Sequence, residues 1–210
     1  MERYTIIAIA AYLLGNVQFA IILSKWKYHD DVRKHGSGNA GSTNMLRVFG
    51  LKPGLLTFAG DFCKGVLAVL LGRLVAGERG SYVAALFVVL GHDFPVFLQF
   101  KGGKGVASTF GIAWSLIPLF GMVLTVYAVI MIFLTRTIAI VSLSGVTLYL
   151  ILAAIFYWKN TELLILIVLL VALVFVRHTD NIKRLISGEE SKLFERKKKD
   201  KSCNKSNPCT

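Results

Sequence analysis

Seven apolar stretches separated by short polar segments dominate this chain of 210 residues. They cover residues 4–24, 54–75, 82–100, 106–116, 118–134, 138–157 and 163–176. An α-helix needs roughly 20 apolar residues to cross the roughly 30 Å hydrocarbon core of a bilayer. Inside that core each segment must satisfy its own backbone N–H and C=O groups, so such runs become helices. The chain is 55% hydrophobic, with a mean hydropathy of +0.62, far oilier than a soluble domain of this length. The pattern predicts an all-α, polytopic membrane protein. Residues 106–134 taken as one helix would be about 43 Å long, more than a crossing needs. Pro118 favours a break within them. The first run, near the N-terminus, has no small-x-small cleavage pattern after it and is read as a retained helix rather than a signal peptide.

Charge orients the helices. The formal net charge is +12, and Arg196, Lys197, Lys198, Lys199, Lys201 and Lys205 crowd the last fifteen residues. With seven crossings that tail shares a side with Lys25, Lys27, Arg33, Lys34, Arg47, Lys52, Lys101, Lys104 and Arg136. The other side keeps Arg3, Arg79 and Lys159, with Arg73 close to it. Six crossings would put the basic tail outside, against the positive-inside rule. The expectation is therefore seven transmembrane helices, N-terminus outside and C-terminus cytosolic. A membrane domain would occupy residues 1–192 and a disordered basic tail residues 193–210. Such a tail suits anionic lipid headgroups. Nucleic acid is not an expected partner, because the basic run lacks aromatic interleaving and any recognisable module. Cys63, Cys203 and Cys209 show neither metal-ligand spacing nor a disulfide framework, so no metal and no cofactor are expected.

Three polar, glycine-rich islands interrupt the oil, and this orientation places all of them on the cytosolic face. The first, GSGNAGSTNMLR at residues 36–47, is read as a loop. Its glycines allow close backbone approach, while Ser37, Asn39, Ser42, Thr43 and Asn44 offer hydrogen bonds and Arg47 a bidentate fork for phosphate or carboxylate. It is not a Walker A loop, and a flexible linker with helix-capping residues explains it about as well. The second, GHDFPVFLQFKGGKGVAS at residues 91–108, puts Lys101, Gly102, Gly103, Lys104 and Gly105 at the start of a helix. Free N–H groups and two lysines there make an anion site, although lysines alone also serve as topology signals. His92 and Asp93 sit beside a proline bend inside a span, where polar groups need partners or water; His92 is a candidate base or part of a polar knot. Asp61 and Lys64, at i and i+3 inside an apolar run, can pair. In the third, RHTDNIKRLISGEE at residues 177–190, His178 and Asn181 lie one turn apart and can face one site.

Together GSGNAGSTNMLR, DFCKG, GHDFPVFLQFKGGKGVAS and HTDNIKRLISGEE resemble the motifs of the bacterial acyl-phosphate-dependent glycerol-3-phosphate 1-acyltransferases, over nearly the whole chain. Ala40 stands for the family's usual proline, Ser42 for alanine and Thr179 for a frequent arginine. The resemblance implies a multi-pass enzyme of the bacterial inner membrane. It would move a fatty acyl group from acyl-phosphate to the 1-hydroxyl of glycerol 3-phosphate, giving lysophosphatidic acid and phosphate, an early step of phospholipid synthesis. It implies that Ser37, Thr43, Arg47, Lys104, Ser142, His178 and Asn181 line the substrate sites, with Gly102 and Gly103 binding anions through their backbone. It further implies substrate-assisted catalysis, a substrate phosphate taking the hydroxyl proton; a base at His92 or His178 is the rival. A soluble enzyme that makes acyl-phosphate is a further candidate partner. The competing class is a transporter of a phosphorylated metabolite, which would place polar groups near the bilayer midplane rather than on one side.

Overall fold

In the computed structural model the described residues are 1–193. The expected tail at 193–210, with its basic cluster, Cys203 and Cys209, lies outside them apart from its first residue. Nine α-helices and two short 3-10 turns make up the described residues, with no strand among them. The helices are α1 (Glu2–Gly15), α2 (Phe19–Tyr28), α3 (Ser42–Phe49), α4 (Leu51–Asp93), α5 (Val106–Leu116), α6 (Pro118–Thr135), α7 (Ile138–Phe156), α8 (Thr161–Arg177) and α9 (Thr179–Ile186).

The first apolar run is not one helix. It stops at Gly15 and restarts at Phe19: the polar Asn16 and Gln18 are both buried, and Gln18 is extended (φ −100°, ψ 95°). The run at 82–100 also ends early. α4 stops at Asp93, ahead of Pro95, and Val96–Leu98 is a 3-10 turn, so Val96, Phe97 and Phe100 stand exposed beyond the end of the α-helix. The first island is only half a loop, since Ser42 already opens α3. Pro118 does break the long apolar stretch, as the first residue of α6, where its missing N–H costs nothing.

α4 is a hairpin. Ala76 and Gly77 leave helical geometry, Gly77 at φ +64°, which glycine adopts without a Cβ clash. The arms, 51–75 and 78–93, then run back along each other so closely that a Cβ on Gly72 or on Gly80 would strike the other's carbonyl oxygen. α1 lies against the returning arm through Gly15 and Gly91, with the same steric demand. The core joins Val69, Val88 and Val89 of α4, Ile112 of α5, Tyr149 of α7 and Ile167, Leu170 and Val174 of α8. α6 is peripheral and exposes Leu119, Val126, Ile130 and Phe133, a large apolar surface of the kind that belongs in lipid.

By length and composition four helical segments can cross a membrane, or five with the bent α8–α9 pair counted as one. This is a multi-pass membrane fold. α5 has 11 residues and extends about 16 Å, short of a full crossing. The turn of α4 and the N-terminus, Met1 to Tyr4, line one open cleft at one end of the bundle. The three polar islands lie at the other.

Candidate active site

The first island is wrapped around one side chain. Asn44, 1% exposed at the start of α3, donates from Nδ2 toward the carbonyls of Val32 (2.9 Å), Asn39 (3.0 Å) and His35 (3.1 Å). Its Oδ1 accepts the Ser37 N–H at 2.9 Å. Asn44 thus has its hydrogen-bonding capacity spent on the loop, not offered outward. Gly36 at φ +62° brings the backbone against that amide. Upstream, the Arg33 guanidinium pairs with Asp31 at 2.7 Å and holds its carboxyl down at about 2. What the loop presents outward is the exposed Ser37, half-buried Asn39 and Thr43, and the exposed Arg47, which has no ion pair among the described residues.

The second and third islands are joined directly. Arg177, at the end of α8, donates to the carbonyls of Gly103 (2.9 Å) and Gly102 (3.2 Å), and its guanidinium lies 5.2 Å from the centre of the Phe94 ring. Arg177 thus holds the carbonyls of the glycine turn, and α5 opens just beyond it, where first-turn N–H groups lack helical partners. Lys104 hydrogen-bonds Asn181 Oδ1 from the opposite side. Burial, then the repulsion of Arg184 and Arg177, pulls the Lys104 ammonium down to about 8, against the attraction of Glu190 and Asp180. His178 Nδ1 contacts the Val174 carbonyl at 2.8 Å and must donate there, so in the neutral ring Nε2 is an acceptor. Burial, then the Lys104 charge, pushes His178 down to about 4, which keeps the ring neutral near pH 7. Lys101 is exposed, and Ser142 is buried one turn into α7, with no hydrogen bond tying its hydroxyl to the others among the described residues.

Beneath the glycine turn lies a polar knot. Lys64, 1% exposed, reaches the break between α1 and α2 and donates to the carbonyls of Val17 (2.8 Å) and Gly15 (3.1 Å). The same ammonium is 3.0 Å from Asp61 Oδ1 and 2.7 Å from His92 Nδ1. An ammonium can only donate, so His92 offers its lone pair to Lys64 and no longer has it free for a substrate proton. The His92 carbonyl accepts both Gln18 Nε2 (2.9 Å) and the Gly103 N–H (3.0 Å), and its ring fills the space where a Cβ on Gly103 would stand. Asp61, Lys64 and His92 therefore carry the turn.

Sequence reading gave no role to Gln18 or Glu190. Asn16 and Gln18 inside an otherwise apolar run were the available signal for the first. Arg177 and Arg184 read from sequence as donors on the same face as His178 and Asn181, or as ordinary flanking charges; the fold ties them to Gly103 and Glu190.

Fold and site define a multi-pass helical membrane protein with cationic and backbone-donor groups gathered at one end, a form suited to a small anionic substrate. Residues 5–188 match the family model described as glycerol-3-phosphate acyltransferase. A glycerol-3-phosphate acyltransferase of Thermoanaerobacter pseudethanolicus is 44% identical over 186 residues, 89% of this chain and 93% of the relative. One from Carboxydothermus hydrogenoformans is 42% identical over 192 residues, covering 90% and 96%. Among solved structures, the glycerol 3-phosphate form of PlsY, an integral membrane glycerol 3-phosphate acyltransferase, superposes with a TM-score of 0.84 at 31% identity, covering 90% of this chain and 95% of that one. Its lysophosphatidic acid form gives 0.81 at 30% identity, over 90% and 94%. The chain belongs to the glycerol-3-phosphate acyltransferase family, and is an acyltransferase of that integral membrane kind.

Proposed function

We propose that the chain transfers a fatty acyl group from acyl-phosphate to the 1-hydroxyl of sn-glycerol 3-phosphate, releasing lysophosphatidic acid and phosphate. The observation that carries the proposal is the Arg177-drawn glycine turn with Lys104 beside it, at the end of the bundle where Arg47 and Ser37 are also presented. Acyl-phosphate is already activated and has a good leaving group. The protein's task is to orient two anionic partners and offset their charge. Arg47, Lys104 and Lys101 supply cations; Gly102 brings a backbone donor, while the Gly103 N–H, expected to do the same, is spent on the His92 carbonyl; Ser37, Asn39, Thr43, Ser142, His178 and Asn181 supply hydrogen bonds; Asn44 shapes the first loop. A neutral His178 with Nε2 as acceptor suits a substrate hydroxyl. With His92 committed to Lys64, a phosphate oxygen of a substrate is the better proton acceptor.

The bundle crosses the bacterial inner membrane seven times, N-terminus outside. That count takes the two arms of α4 separately and lets the short α5 cross together with its flanking residues. The support is charge: the site end carries Lys25, Lys27, Lys52, Lys101, Arg136 and Lys183, the other end Arg3, Arg73, Arg79 and Lys159. A soluble acyl-phosphate-forming enzyme is the natural source of the donor.

Purified protein in lipid, given glycerol 3-phosphate and palmitoyl-phosphate, should release phosphate and form lysophosphatidic acid only when both are present. Turnover with palmitoyl-CoA alone would overturn the donor. No turnover with either donor, in folded protein, would overturn acyl transfer itself.

A further inference from the structure

We propose that Glu190, clamped by Arg184, is a positioning residue that fixes the orientation of the Asn181 amide and, through it, holds the Lys104 ammonium at the substrate phosphate. This rests on the acyl-transfer reading above. An asparagine amide has a donor face and an acceptor face, and only the acceptor face can hold an ammonium. Asn181 Nδ2 donates to Glu190 Oε1 at 2.9 Å, which leaves Oδ1 for Lys104. The second Glu190 oxygen accepts Arg184 Nε at 2.8 Å. Its side chain is 7% exposed, so this carboxylate is spent within the network and not on water.

The backbone delivers the side chain there. α9 ends at Ile186, Gly188 follows at φ +72°, and the N–H groups of Glu189 (2.8 Å) and Glu190 (3.1 Å) both return to the Arg184 carbonyl. The chain thus curls over the end of its own helix. Further along, the Leu193 N–H reaches the Arg136 carbonyl at the α6–α7 corner, which fixes the far side of the curl.

Lys104 is faced by Arg177 at the end of α8, by His178, and by Asp180, Arg184 and Glu190 around α9. Of the two carboxylates, Asp180 is solvent-exposed, whereas the Glu190 side chain is 7% exposed. Glu190 therefore does two things for Lys104: it turns the acceptor toward it, and it favours the ammonium over the neutral amine. Glu190→Gln keeps the shape but sets an NH2 group against Arg184 or against Asn181. The Asn181 amide is then free to flip and meet Lys104 with its donor face.

The test is steady-state kinetics of full-length protein in lipid, with palmitoyl-phosphate saturating and glycerol 3-phosphate varied between pH 6 and 9.5 (chosen about the Lys104 value). Glu190→Gln should raise KM for glycerol 3-phosphate about tenfold with kcat nearly unchanged, since ground-state phosphate binding is what Lys104 provides. The basic limb of kcat/KM should move down by about one pH unit. Glu189→Gln, exposed on the same curl, should leave both as they are. In a Lys104→Ala background Glu190→Gln should add no further loss. Wild-type KM and an unmoved limb in Glu190→Gln overturn the proposal, as does a full additional loss in the Lys104→Ala background. Should Glu190→Gln fail to fold, Arg184→Gln replaces it: KM should still rise, although its limb moves up because a repelling charge is gone, and an unchanged KM overturns the proposal. If wild-type protein does not use glycerol 3-phosphate at all, the acyl-transfer reading fails and this proposal falls with it. Wild-type turnover with insensitive Glu190 variants removes the positioning role alone.

Discussion

Replacing Asn44 with alanine tests whether the first loop is shaped by that side chain. Three carbonyls and one N–H converge on the amide, at 2.9 to 3.1 Å. The amide has two hydrogens for those carbonyls, so the net count is two bonds donated and one accepted. At about 1 kcal/mol each, closure of the loop loses about 3 kcal/mol, near a 150-fold fall in its closing equilibrium. The bundle itself does not depend on this loop, so global unfolding should move little. Amide hydrogen exchange reports the local effect directly. The Ser37 N–H, protected only by Asn44 Oδ1, should lose its protection, while exchange in α4 and α8 stays as in wild type. KM for glycerol 3-phosphate should rise, since only the closed fraction presents Ser37 and Thr43 correctly. Asn44→Asp is the companion variant. It keeps the acceptor for Ser37 but turns a carboxylate on three carbonyls, and should be at least as damaging. The reasoning is refuted if Asn44→Ala lowers kcat with KM and Ser37 protection unchanged, because Asn44 would then act on substrate and not on the loop.

Other perturbations follow from the packing and the charges. Gly91→Ala should destabilise the folded protein by about 1–3 kcal/mol, because its Cβ would strike the Tyr12 carbonyl; a thermal melt in detergent measures it. Lys64→Met strands Asp61 in the interior and should cost about 3–5 kcal/mol, while the Asp61→Asn, Lys64→Met double variant should cost less by the same melt. With Lys104 near 8, glycerol 3-phosphate binding should weaken as pH rises through that value and the ammonium is lost, bound phosphate moving the transition upward; a pH series of KM shows it. His178 is held near 4, below its ordinary value, so its neutral form contributes stability that is present above about pH 6.5 and lost as pH falls toward 4. Melting temperatures of wild type and His178→Gln should converge across that interval.

The helical class was legible because hydropathy reports it directly: α6, α7 and α8 sit almost where the apolar runs lie. Pro118 was legible for the same local reason. The break at residues 16–18 was not, because two polar residues do not outweigh the rest of a mostly apolar run at 4–24 in a window average. What sustains that break is Lys64, far along the chain, and no local pattern announces it. The site divided in the same way. Gly102, Gly103 and Lys104 stand out by composition, whereas Asn44 looked like an outward donor until its partners were seen. Glu190 closes the third motif but carries no role there, since a carboxylate after a helix end is unremarkable without Asn181 and Arg184 around it.

The Lys64 contact also bears on how the chain is made. The Gly15 carbonyl at the end of α1 and the Val17 carbonyl in the break after it are satisfied by an ammonium 49 and 47 positions later. During synthesis the first helix emerges before its cap exists, so its broken end cannot reach its final form until residue 64 has left the ribosome. Lys64 in turn enters the bilayer as a helical neighbour of Asp61, three residues before it, which lets the two offset each other's charge before α1 is met. His92, which completes the knot, arrives later still. The N-terminal half of the protein is therefore assembled jointly, helix against helix, and not one crossing at a time.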